Sequence, residues 1–263
     1  MSETTLEDES GTQPHLLPLW GRVTLGLWLS AAALVLSLAF GLALEDGGTA
    51  VISSVWFLAL VGFVLVLESG IFVRIVSETR RSAGSEPVTL ATWVTVTRGA
   101  ASAVLAGFIV VPRPDGVLVW APAILFAAGA ALDAVDGLLA RRTETTTALG
   151  ARVDVETDAL IVLIGTLVAI AADTVPLAFL AVGLARYLFI FGCWWRRRRG
   201  RPVLELPESR LRRPLGALAM GTIWLALLPP VDPALSRTVA FLVLVPFVLN
   251  FTRDWIAVAG YRR

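Results

Sequence analysis

The chain has 263 residues, 56% of them hydrophobic, with a mean hydropathy of +0.76, which excludes the balance of an ordinary soluble domain. Its 22 basic residues, all arginine, nearly cancel 21 acids and leave a formal charge of +1. Nothing in that total points to nucleic acid, and the placement of charge along the chain carries the information. One cysteine, Cys193, excludes an internal disulfide or a cysteine metal cluster, and one histidine, His15, excludes a histidine relay.

Residues 1–18 form an acidic stretch, predicted to be a disordered cytoplasmic tail without the basic start of a signal peptide. Apolar segments long enough to cross a bilayer follow at 23–44 and 51–75, the second carrying Glu68 and Arg74. They make residues 19–76 a pair of N-terminal transmembrane helices. Residues 77–87, with Arg80, Arg81 and a Gly-Ser-Glu-Pro stretch, read as a cytoplasmic linker. Residues 88–263 then hold six further spans, at 88–111, 117–140, 148–172, 175–195, 214–228 and 235–258. The expected fold is an all-α membrane bundle of about eight spans.

With the N-terminus cytoplasmic, the inner loops hold Arg80/Arg81, Arg141/Arg142, the run Arg196–Arg199 with Arg201, Arg210, Arg212 and Arg213, and Arg262/Arg263. The outer loops hold Arg113 and Arg237 among acids such as Glu45, Asp46, Asp173 and Asp232. Positive charge is therefore inside at every turn. Both termini are expected on the cytoplasmic side of the cell membrane. Trp194 and Trp195 beside the arginine run fit an interfacial belt, and that run fits an orientation signal and anionic-lipid contact.

The stretch from Asp133 to Asp158, DAVDGLLARRTETTTALGARVDVETD, breaks this apolar pattern. On a helix, Asp133, Asp136, Gly137, Ala140 and Arg141 fall at i, i+3, i+4, i+7 and i+8, on one face. Gly150, Asp154 and Asp158 share a face in the same way. Four carboxylates converging from two helices repel one another unless a divalent cation lies between them. The blander alternative is a set of interfacial acids paired with Arg141, Arg142 and Arg152, which explains neither the phasing nor the glycines. Gly137 and Gly150 allow something bulky to approach the backbone, and Arg141 is placed to grip a phosphate.

The spacing D-x2-D-G-x2-A-R-x8-G-x3-D-x3-D resembles the signature of the CDP-alcohol phosphotransferases (CDP-alcohol phosphatidyltransferases), with every fixed position filled. The resemblance covers about residues 88–258 and implies a six-helix bundle with a pocket open to the cytoplasm, usually in a homodimer. It implies transfer of a phosphatidyl-type group from a CDP-linked lipid to an alcohol, with release of CMP. By the same resemblance, Asp133, Asp136 and Asp154 hold Mg2+ or Mn2+ on the diphosphate, and Asp158 adds to the metal site and acts as general base. Gly137 and Ala140 leave room for cytidine, Arg141 binds a phosphate oxygen, and Gly150 permits close helix contact at the nucleotide.

Three more arginines are candidates. Arg98 follows Thr95 and Thr97 on the first helix of the bundle, where the family often has an Asn-containing pattern that is missing here. Arg98 is a candidate phosphate ligand; Arg152 and Arg186 are candidates for a phosphorylated acceptor such as glycerol 3-phosphate. Arg98 also has a plain reading as a snorkelling or ion-paired arginine near the cytoplasmic face, and Arg152 and Arg186 as charge balance for the aspartates. Two other functions use similar residues: a metal-dependent hydrolase of lipid pyrophosphates, and a cation transporter. The transporter needs acids at the membrane midplane, whereas these cluster at the cytoplasmic end beside arginines.

Overall fold

The structure is a computed structural model, and it describes residues 16–43, 54–83, 90–111, 116–143, 148–206 and 209–260. Eight α-helices run through them: α1 Leu16–Ala43, α2 Val55–Ala83, α3 Leu90–Gly107, α4 Ala121–Thr143, α5 Ala148–Ala171, α6 Leu180–Arg198, α7 Arg212–Leu227 and α8 Pro233–Val258. Short 3-10 segments at Gly116–Trp120 and Leu177–Phe179 lead into α4 and α6. No strand occurs among the described residues, as an all-α class requires.

Gly21–Phe40, Val55–Glu78, Leu177–Arg198 and Pro233–Val258 are each long and apolar enough to cross a bilayer. Eight spans were expected; among the described residues there are eight helices, and four of them qualify as spans by length and composition. Two of the remaining helices have a plain reason in their sequence. Helix α7 has only 16 residues, and α5 carries Arg152, Asp154, Glu156 and Asp158 in its first half.

Two predicted boundaries move. Helix α2 continues to Ala83, through most of the stretch expected as linker. There Arg74 Nε donates to Glu78 Oε1 at 2.9 Å, an i,i+4 pair on an exposed face. Such pairs support a helix by a few tenths of a kcal/mol. Helix α1 begins at Leu16, inside the expected tail, while residues 1–15 lie outside the described residues.

Helix α3 is the centre of the bundle, packing against α1, α2, α4 and α5. Its sequence explains why. Residues Gly99, Ala100, Ala101, Ser102 and Ala103 are small, and small side chains let several backbones approach one axis. Ala100, Ser102, Ala103, Val104, Leu105 and Ala106 are all fully buried. The N-terminal helices share this core: Leu27 and Phe57 belong to the same apolar cluster as Ile161, Ile223 and Ala240. Phe57 also meets Phe108 edge-on, with centroids 5.3 Å apart.

Helices α4, α5 and α7 meet at Gly165. A Cβ there would lie 2.5 Å from the Phe126 ring and 2.9 Å from Ile223 Cγ2. Gly165→Ala is therefore expected to cost about 1–3 kcal/mol by overpacking, read as a lower thermal unfolding midpoint in detergent. An unchanged midpoint would mean that the three helices part without strain.

The end of α6 is set by a Schellman motif. Arg201 N–H donates to the Arg196 carbonyl, Gly200 N–H donates to that of Arg197, and Gly200 takes φ +65°. Arg198 and Arg199 lie over the Trp194 and Trp195 rings, 4.7 and 4.4 Å from their centroids. Arg196 behaves differently from the rest of its run. It is buried and donates to the carbonyls of Pro202 and Ala259, tying the α6–α7 loop to the end of α8. At the other end of α8, Asp232 accepts from Ala234 N–H at 3.0 Å, ahead of Pro233 in the first turn.

Candidate active site

Helix α4 carries Asp133, Asp136, Gly137, Ala140 and Arg141 on continuous helical backbone, as the spacing requires. Their side chains lie outside the described residues, as do Thr145–Thr147. Helix α5 carries Gly150 in its first turn and Asp154 and Asp158 one turn apart beyond it, and it packs on both α3 and α4.

The group that meets these acids is Arg98. Its side chain is fully buried in α3. Nε–H donates to the carbonyl of Gly129 on α4 at 3.1 Å. Nη1 donates to Asp154 Oδ1 and Nη2 to Asp158 Oδ1. One guanidinium thus joins three helices, and a planar fork suits two carboxylates a helical turn apart. Both carboxylates keep partial access to the outside, at 35% and 41% side-chain exposure. Among the described residues it is Arg98, 56 and 60 positions away, that pairs with Asp154 and Asp158. Arg152 is exposed on α5.

Among the described residues no group of three or more His, Cys, Asp or Glu stands close enough to hold a metal. Asp154 and Asp158 supply two of the four carboxylates in the motif. Carboxylate oxygen is the donor type that suits Mg2+ or Mn2+, so the described half of the motif fits such an ion in chemistry.

Asp158 opens onto a cavity of about 310 Å3 between α5, α6, α7 and α8. Its walls are apolar, with Val155, Val162, Val182, Met220 and Phe247, and Arg186 is its other charged lining residue. A second cavity of about 260 Å3 shares Arg186 and Phe247 and continues to Arg212, Asn250 and Asp254. Arg186 is held by Glu156 of α5, with Nη2 donating to Oε1 at 2.7 Å. Its Nε is buried and has no hydrogen-bond partner.

Sequence reading missed Glu156, Arg212, Asn250 and Asp254. Asp254 had a signal, since a single acid in an apolar span is a functional candidate by default. It is buried in α8, accepts from Arg212 Nε at 2.8 Å, and lies 3.3 Å from Asn250 Nδ2. The partnership could not be read in advance, because Arg212 and Asp254 are 42 positions apart.

Comparison with known proteins decides the family. The family model for CDP-alcohol phosphatidyltransferase matches residues 88–259, more than half of the chain. The chain belongs to the CDP-alcohol phosphatidyltransferase family. No curated protein and no solved structure matches it. As a family member it is a transferase of substituted phosphate groups in phospholipid biosynthesis, and its apolar helices make it a multi-pass membrane protein. CDP-alcohol phosphatidyltransferases generally depend on a divalent metal. The matched region begins just before α3, so α1 and α2 lie outside it.

Proposed function

We propose that this CDP-alcohol phosphatidyltransferase moves the phosphatidyl group of a CDP-linked lipid to a phosphorylated alcohol, glycerol 3-phosphate or a related polyol phosphate, and releases CMP. The observation that carries the reading is the cavity in which Asp158 and Arg186 are the charged residues of an apolar wall. A carboxylate there accepts a hydroxyl proton, and a guanidinium there fixes a phosphate. Arg186 brings a buried, unpartnered Nε to that role.

The step balances simply. The acceptor oxygen forms a bond to the lipid-bearing phosphorus, the bond from that phosphorus to the CMP oxygen breaks, and the hydroxyl proton passes to Asp158. Asp133, Asp136, Asp154 and Asp158 would hold Mg2+ or Mn2+, which supplies charge neutralisation for the diphosphate and for departing CMP. Arg141 binds a phosphate oxygen, while Gly137, Ala140 and Gly150 leave room for the nucleotide. Arg98 has a different task from the phosphate contact suggested by its sequence. Its hydrogen bonds to both acids make it the group that aims Asp154 and Asp158. Arg152, exposed at the start of α5, remains a candidate contact to the acceptor phosphate. The active site faces the cytoplasm, and the working form is a homodimer.

The test is CMP release by the purified protein with CDP-diacylglycerol and Mg2+, offering glycerol 3-phosphate, inositol 1-phosphate, inositol, serine or water alone. Release that requires a phosphorylated acceptor supports the reading. Release with water alone marks a hydrolase, and absence of release with every acceptor counts against the donor or the activity. Arg186→Gln is expected to raise KM for the phosphorylated acceptor about tenfold or more while leaving KM for CDP-diacylglycerol within about twofold. Equal effects on both substrates would remove Arg186 from the acceptor site.

A further inference from the structure

Glu68 is the one buried acid of α2, 3% exposed in a helix long and apolar enough to cross a membrane. Its Oε1 lies 2.6 Å from Ser102 Oγ on α3, and Oε2 is buried without a hydrogen-bond partner. Ser102 Oγ is also 2.9 Å from the Gly99 carbonyl, so the carboxyl, the hydroxyl and the α3 backbone form one chain of contacts. Gly99 makes room for it. A Cβ at that position would stand 3.1 Å from Glu68 Oε2 and 3.2 Å from Leu27 Cδ1 of α1. An acid at this depth, with one oxygen unsatisfied, is costly unless it serves something specific.

What it touches is the segment that carries Arg98. Gly99 follows Arg98 directly, and Ser102 is one turn further on the same helix. Helix α3 is fastened to α2 through Glu68 and Ser102, and one turn away on the same helix the Arg98 guanidinium reaches Gly129, Asp154 and Asp158. Any rotation or axial shift of α3 would be delivered to both carboxylates. Helix α2 also packs directly on α5, the helix that bears them.

The geometry points to Glu68 as a positioning residue for the transfer reaction: its tie to Ser102 fixes α3, and thereby the placement of Arg98 between Asp154 and Asp158. Helices α1 and α2, outside the region that defines the family, are then part of the catalytic unit. This rests on the role proposed above for the two aspartates. It differs from a general packing role because it requires a polar group of one size at position 68. Gln preserves that group, accepting from or donating to Ser102 as the carboxyl does.

The full chain in detergent tests this with Glu68→Ala, Glu68→Gln and Ser102→Ala. Glu68→Ala is expected to lower kcat for CMP release about tenfold with KM for CDP-diacylglycerol within about twofold. Glu68→Gln should recover kcat to within about threefold of the parent. Ser102→Ala removes one hydroxyl, should lower kcat about threefold at an unchanged unfolding midpoint, and decides the matter if Glu68→Ala does not fold. Parental kcat in Ser102→Ala, or no recovery in Glu68→Gln, overturns the proposal. Unfolding midpoints of Glu68→Gln, Ser102→Ala and Arg98→Met, alone and combined, give a readout free of activity. Coupled shifts between positions 102 and 98 support the tie, and additive shifts overturn it. A parent protein inactive with every acceptor would fail the functional reading, while those midpoints still decide this one.

Discussion

Asp158→Asn should lower CMP release by about 1,000-fold, within the range set by loss of a positioned general base, while CDP-lipid binding stays within about threefold. The amide keeps an oxygen for the Arg98 Nη2 donor, so the fold is not asked to change. It cannot take up the hydroxyl proton. Asp158 is also the acid that opens onto the cavity with Arg186, so under the proposed function it, rather than its neighbour Asp154, would meet the acceptor hydroxyl. Single-turnover CMP release alongside equilibrium binding of CDP-diacylglycerol separates the two quantities. Turnover near the parental rate would take the base role away from Asp158, and joint loss of binding and turnover would make it chiefly a ligand of the metal site.

The second large effect concerns stability. Replacing Asp154 and Asp158 together by Ala removes two charge partners from a fully buried guanidinium. Breaking a buried pair from one side typically costs about 3–5 kcal/mol, because a charge is left in a low-dielectric interior. Adding Arg98→Met removes that charge and fills much of its volume, so most of the lost stability should return while activity does not. Thermal unfolding in detergent of the parent, the Asp154/Asp158 double variant, Arg98→Met and the triple variant completes the cycle. A triple variant no more stable than the double one would mean that burial of Arg98 charge is satisfied elsewhere. Recovery of stability without activity would separate what the arginine does for the fold from what the acids do for catalysis.

Asp133, Asp136, Gly137, Ala140 and Arg141, and then Gly150, Asp154 and Asp158, were legible as helical faces because the spacing lies within one or two turns. Helical geometry converts such spacing directly into neighbourhood. The apolar segments were legible for the same reason, since a bilayer demands long uninterrupted runs. Helix α2 runs on to Ala83 through Glu78, Arg80 and Arg81, which read as a loop by polarity because polarity alone does not separate a loop from a polar helical turn.

The partners of charged groups were not legible. Arg98 meets acids 56 and 60 positions away, Arg186 meets Glu156 30 positions back, and Glu68 meets Ser102 34 positions on. Nothing local marks these choices, since any arginine on a nearby face offers the same charge. Sequence by itself determined the all-helical membrane class, the family and the positions of the aspartates, because each follows from hydropathy or from spacing along one helix. Only the tertiary structure decided which arginine holds the aspartates, that Asp158 and Arg186 share a cavity, and that α1 and α2 close on the same central helix. Those are matters of packing, and small residues such as Gly99 and Gly165 fix them by how closely they let separate helices approach.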